Sequence, residues 1–289
     1  MQKILSILFT LVVIPISLSA QLSYHSGDNL HFWGPIVINE LENSPYTTWF
    51  AKNMQAYNPQ PKKEDYYQNL IDTKVTIFLG TWCGDTKKYL PQFIKIWRSL
   101  GLPEENLHLI ALHNEQELYK QGPEHEEELY NIHRVPTFIF TKDGKEIGRI
   151  VESPQTDFET DLAQIALGIP TTPKYSAVTF LQDLFQTMSM DSLKVQKNVV
   201  ATSVTRKVSK ISELTTFAKK LQTDGKLAEA ELVLDLAILI YPYNPYVYYA
   251  KGLYSKNQNE VTKASDLFIK ALRLEPNFEA AKKQLLDLN

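Results

Sequence analysis

The run VTIFLG (Val75–Gly80) passes without a spacer into TWCGDT (Thr81–Thr86) and then into KKYLPQFIKIWRSL. Five apolar or β-branched residues in a row, ended by glycine, predict a strand buried on both faces. Behind it, Leu90, Phe93, Ile94 and Trp97 recur at helical spacing, Pro91 predicts a kink, and Gly101 stops the helix. A strand hidden on both sides that hands over directly to an amphipathic helix belongs in an α/β layer structure.

The flanking segments fit that layer. NLHLIAL predicts the next strand, PEHEEELYNI a short acidic helix, TFIFT a strand, KDG a hairpin turn and KEIGRIVE the returning strand. TDFETDLAQIAL then forms a helix ended by Gly168. The order βα, β, α, ββ, α predicts an α/β sandwich with a mixed sheet. Upstream, residues 21–59 are polar and aromatic and predict a helical extension: Ser44 as cap, Pro45 at the first position, then YTTWFAKNMQAY. Beyond a linker at Gly168–Ser176 all the patterning is helical, with Val178, Leu181, Leu184, Phe185 and Met188 marking one stripe. From Ile211 the chain repeats: Ala230 recurs as Ala264, Ala237 as Ala271 and Pro242 as Pro276, a period of 34 residues.

These features carry two resemblances. FLGTWCGDT, HRVPTFIF (His133–Phe140) and KDGKEIGRIVE, in that order, resemble the strand-to-helix turn, the cis-proline loop and the terminal hairpin of the thioredoxin family. The 34-residue period resembles tetratricopeptide (TPR) repeats. The expected organisation is therefore a leader at 1–20, the helical extension at 21–59, an α/β thioredoxin-like sandwich at 60–170, a linker with connecting helices at 171–210, and an all-α domain of two TPR repeats with a capping helix at 211–289.

The chemistry centres on Cys83, the chain's single cysteine. At the first turn of a helix, unpaired N–H groups and the helix dipole favour negative charge on its sulfur, by about 0.3–1 kcal/mol. Asp85 opposes this and Lys87 and Lys88 offset Asp85. Thr86, three residues on, shares the helix face and is expected to donate a hydrogen bond to the sulfur. The resemblance places Trp82, Gly84, Asp85, Val135 and Pro136 around a shallow groove for a peptide or thiol beside Cys83.

Two departures from the family bear on mechanism. Thr86 stands where the resolving cysteine belongs, and Ile77, six residues before Cys83, stands where the family has a buried acid. A mixed disulfide at Cys83 has no internal thiol to release it, so ordinary dithiol reduction is not expected. Two readings follow. Cys83 and Thr86 support monothiol thiol-disulfide chemistry with an external thiol, or Cys83 is a relic in a redox-inactive binding module that uses the proline groove and the TPR face.

Composition removes other classes. The net charge is −3 with charges interspersed, so no nucleic-acid surface is expected. The six histidines lack paired spacing on a helix face, so neither a metal site nor a cofactor is expected, although His133 lies close enough in sequence to the proline loop to approach Cys83. The acidic run Glu124–Glu128 reads as a solvated helix face. MQKILSILFTLVVIPISLSA has the layout of a secretory signal peptide cleaved after Ser19 or Ala20, giving an exported, periplasmic or secreted protein with no membrane span. Its expected partners are exported proteins or small thiols and disulfides, with a further protein on the TPR helices.

Overall fold

The computed structural model describes residues 21–61 and 64–288. The leader expected at 1–20 lies outside the described residues.

Strands β1 (Ser23–Ser26) and β2 (Asn29–Phe32) form a hairpin, and β3 (Gly34–Ile36) follows directly. Short helices α1 (Ile38–Leu41) and α2 (Thr47–Ala56) lead through a 3-10 turn at Asp65–Leu70 to β4 (Lys74–Leu79) and α3 (Gly84–Ser99). Then come β5 (Leu107–Ala111), the single-turn α4 (Glu126–Leu129), the β6 (Thr137–Lys142) and β7 (Lys145–Val151) hairpin, and α5 (Phe158–Ala166). The five-stranded sheet has the order β3-β5-β4-β6-β7, with β4 and β5 parallel and the other pairs antiparallel.

The central strand is buried as its composition requires: Val75, Ile77, Phe78 and Leu79 are all fully enclosed. One face carries the main core, where Phe93 of α3 meets Phe138, Phe140 and Phe158. The other carries a smaller cluster of Phe78, Leu112, Ile132, Val135 and Ile139, against which Trp82 and Cys83 pack.

The N-terminal segment departs from expectation. Residues 23–36 are strands, and β3 pairs with β5 at the sheet edge, so the boundary drawn between 59 and 60 cuts through the sheet. Helix α2 starts after Tyr46, not at a Ser44 cap, and Pro45 lies outside the helix. Tyr46 is buried with its ring stacked on Phe32 at 4.4 Å, and that packing sets where the chain can begin to coil.

Helix α3 crosses Pro91 as one element. Proline has no N–H for the carbonyl four residues back, and the orphaned Lys87 carbonyl instead accepts from Asn53 Nδ2 of α2 at 2.8 Å.

After residue 175 the chain is all helical: α6 (Ser176–Thr187), α7 (Met190–Val195), α8 (Lys197–Thr205), α9 (Ile211–Thr223), α10 (Leu227–Ile240), α11 (Pro245–Asn257), α12 (Val261–Leu274) and α13 (Glu279–Leu286). Helices α9, α11 and α13 begin at 34-residue intervals, as do α10 and α12. Ala230, Ala237, Ala264 and Ala271 are fully enclosed. A Cβ on Gly252 would lie 2.5 Å from the Phe268 ring, so this small residue lets α11 and α12 approach. Among the described residues no helix is long and apolar enough to cross a membrane.

Candidate functional site

Cys83 is the N-cap of α3 and half-buried. The turn that presents it is closed by Cys83 N–H to Gly80 O at 2.9 Å and by Lys87 N–H to Cys83 O at 3.0 Å. Gly80 is required for space: a Cβ there would sit 2.5 Å from the Trp82 ring, whose Nε1 donates to Leu112 O at 2.8 Å. Thr81 anchors the turn from beneath, its hydroxyl oxygen accepting from Phe32 N–H at 3.3 Å and lying 3.1 Å from His31 Nδ1. The N-terminal strands thus support the cysteine turn directly.

The Val135–Pro136 peptide is cis, and the Cys83 thiol donates to Val135 O at 3.3 Å. Trp82, Cys83 and Val135 therefore come together, with Pro136 buried in the same loop. Gly84 faces open space, since a Cβ on it would meet nothing within 4 Å. Asp85 lies in the first turn of α3.

Thr86 is placed differently from expectation. Its side chain is fully buried and its oxygen accepts from Gly80 N–H at 3.3 Å, with no hydrogen bond to the sulfur among the described residues. The hydroxyl satisfies a backbone donor that the turn would otherwise strand, so Thr86 holds the turn's shape. His133 also turns away. Its ring packs edge-on against Tyr175 and Phe217, 5.9 Å from each, in the junction with the helices. Burial, helped by the nearby charges of Lys120 and Arg134, holds it well below the usual histidine range.

The acidic run is not a solvated face throughout. Glu127 is fully buried, accepting from Gly122 N–H at 2.9 Å and paired with Lys220 of α9 at 3.4 Å. Lys220 pairs in turn with Asp224. His125, Glu127 and Glu128 offer atoms within 4.8 Å of one another, but Glu127 is already committed to Lys220.

Three residues around Trp82 and the proline loop were not singled out from sequence. The Tyr119 ring lies 6.4 Å from Trp82, and Lys219 of α9 sits 3.9 Å above it. Lys120 is buried and donates to His133 O at 2.8 Å. In sequence, NEQELYKQG reads as an ordinary polar loop. Its enclosure comes from the helices packed over it, which local patterning does not record.

A cavity of about 680 Å³ opens where that loop meets the helices, lined by Gln116, Glu117, Lys219, Gln222, Tyr249 and Asn257 among others. Next to the cis peptide in sequence, Arg134 ties the proline loop to the helices by donating to Ser212 O at 2.6 Å and lies over the Tyr175 ring at 4.7 Å.

A mixed sheet with helices on its faces and a cysteine turn opposite a proline loop define a thioredoxin-like fold, followed by an all-helical region. In agreement, the chain is similar to a thioredoxin H-type of Picea mariana, 29% identical over 108 residues, which covers 36% of this chain and 78% of that protein. No family model matches the chain, and no solved structure does.

Proposed function

We propose that the protein exchanges thiols and disulfides through Cys83 alone. The observation that carries this is a half-buried sulfur at the N-cap of α3, against the Val135 carbonyl beside cis-Pro136, with open space over Gly84. The likeness to a thioredoxin supports a redox role of the same general kind. In the proposed step the Cys83 thiolate attacks one sulfur of a mixed disulfide. A new S–S bond forms, the old one breaks, and the departing thiolate takes up a proton. A second, external thiol then attacks the Cys83 adduct and restores the free cysteine, because Thr86 offers no internal sulfur.

The helices are proposed to be TPR repeats that hold a protein partner, supported by the 34-residue spacing and by the cavity shared between α9, α11 and the Gln116–Glu117 loop. Export is proposed from the leader-like first twenty residues. N-terminal sequencing of the mature protein should then begin at Ala20 or Gln21.

Intact-mass spectrometry after incubation with glutathione disulfide tests the covalent step. Wild-type protein is expected to gain one glutathionyl group that free thiol removes, and Cys83→Ser none. A native protein modified only after unfolding would favour the binding-module reading instead.

A further inference from the structure

Helical spacing puts Tyr246, Tyr249, Leu253 and Asn257 along one face of α11, and Thr215, Lys219 and Gln222 along one face of α9. These two faces are walls of the cavity of about 680 Å³, and the Gln116–Glu117 loop of the sheet region supplies a third. That loop is fixed to α9, where Gln121 Nε2 donates to Thr223 O at 3.3 Å. The cavity is therefore shared between the region that carries Cys83 and the helices.

Its chemistry changes along its length. Towards the start of α11 it is aromatic and apolar, with the Tyr249 ring held by Phe268 at 5.9 Å and Phe278 at 5.0 Å. Towards the end of α11, three side-chain amides link the walls. Gln116 Nε2 donates to Asn257 Oδ1, Asn257 Nδ2 to Gln222 Oε1 and Gln222 Nε2 to Tyr254 O, each at 3.4 Å. Bonds this long are weak, and the amides carry the donors and acceptors that a peptide backbone pairs with. Midway along α9 stands Lys219, exposed and in none of the ion pairs among the described residues, with Glu117 of the loop included. Its ammonium lies 3.9 Å from the Tyr119 ring, and that ring lies 6.4 Å from the ring of Trp82, the residue before Cys83. A row of side chains thus runs from the cysteine turn to an uncompensated cation in the cavity.

We propose that this cavity is the substrate-binding arm of the cysteine turn: it takes an extended peptide segment whose acidic residue meets Lys219 and whose disulfide sulfur, in the same chain, meets Cys83. The inference rests on the thiol chemistry and partner binding proposed above and deepens both, because the partner held by the helices and the substrate of Cys83 become one molecule. The amides take its backbone, and the Tyr249 and Leu253 end takes an apolar side chain. In the covalent step the Cys83 thiolate, its proton released to solvent, attacks the peptide's sulfur. The peptide–Cys83 S–S bond forms as the old S–S bond breaks, and the departing thiolate takes up a proton.

The test uses the full chain, which has no other cysteine, and short peptides whose single cysteine is activated as its mixed disulfide with 2-mercaptoethanol. One set carries glutamate and the other lysine, about two to eight residues from the cysteine, because an extended chain covers ~3.3–3.6 Å per residue. Intact-mass spectrometry reads the rate of covalent capture at Cys83. At the best spacing the glutamate set is expected to react about fivefold faster than the lysine set, and Lys219→Glu is expected to reverse that order. Equal rates in wild type, or a glutamate preference that survives Lys219→Glu, overturns the proposal. So does a dimer of the protein alone that Lys219→Glu dissociates, which would seat a second copy in the cavity. Hydroxyethyl disulfide, which has no peptide segment, tells this failure from that of the thiol chemistry. If it modifies wild type while the peptides show no preference, the thiol reading stands and this one falls. If it too leaves Cys83 unmodified, the thiol reading itself falls and takes this one with it.

Discussion

Thr86 lies three residues after the sulfur, and its hydroxyl is committed to Gly80 N–H. Thr86→Val keeps the shape and strands that donor. It should cost about 1–3 kcal/mol in urea unfolding while leaving Cys83 alkylation within about twofold of wild type, whereas a large fall in alkylation would return Thr86 to the sulfur. Lys120 sets a pH signature of its own. Its folded-state value is lowered from 10.5 to about 7 by burial first of all, so between those values the unfolded chain holds a proton that the folded chain lacks. Stability contributed in this way is present above 10.5 and is lost as pH falls towards 7, by up to about 1.4 kcal/mol per pH unit. Denaturation at pH 7 and pH 9 should show wild type gaining stability with pH and Lys120→Met gaining less. Equal slopes would mean that Lys120 stays charged throughout. The cysteine turn was legible in the sequence because it is a local motif. Lys120 was not, because nothing local distinguishes a buried lysine from a solvated one.

Helix α3 carries the cysteine at its start and Pro91 in its interior, and its continuity depends on a neighbour. Asn53 of α2 satisfies the Lys87 carbonyl that proline leaves open. Asn53→Ala should cost about 1 kcal/mol, and clearly less when combined with Pro91→Ala, which supplies an N–H of its own. Additive effects in that double-mutant cycle would show that the two residues act separately. Strands β4 and β6 follow the sequence pattern because their largely buried runs demand apolar and β-branched residues on both faces. The short strands β1 to β3 escaped it. They contain serine, histidine, asparagine and proline and take their order from contacts made elsewhere, as when Trp33 Nε1 donates to Gln121 O at 3.0 Å.

At the level of the whole molecule, the sheet region and the helices are joined by buried charge. Lys220, 3% exposed at its side chain, bridges Glu127 of α4 and Asp224, and Gln121 Nε2 donates to Asp224 Oδ1 at 3.2 Å. Removing one member of such a group leaves uncompensated carboxylates, so Lys220→Met should lower stability by about 3–5 kcal/mol and loosen the junction. A melting temperature equal to wild type would show that the helices dock by other means. The 34-residue helical period could be read from the spaced alanines. The docking could not, because Glu127 and Lys220 lie 93 positions apart and each sits in a run that looks solvated. This junction also stations Lys219 beside Tyr119, whose ring lies 6.4 Å from that of Trp82. The central claim, that one cysteine performs exchange without an internal partner, is tested most directly by the rate at which the protein reduces a glutathionylated peptide as the concentration of added free thiol is varied. The expected result is acceleration by wild type, none by Cys83→Ser, and a rate that rises in proportion to the added thiol. Equal rates for the two proteins, or a wild-type rate indifferent to that thiol, would contradict it.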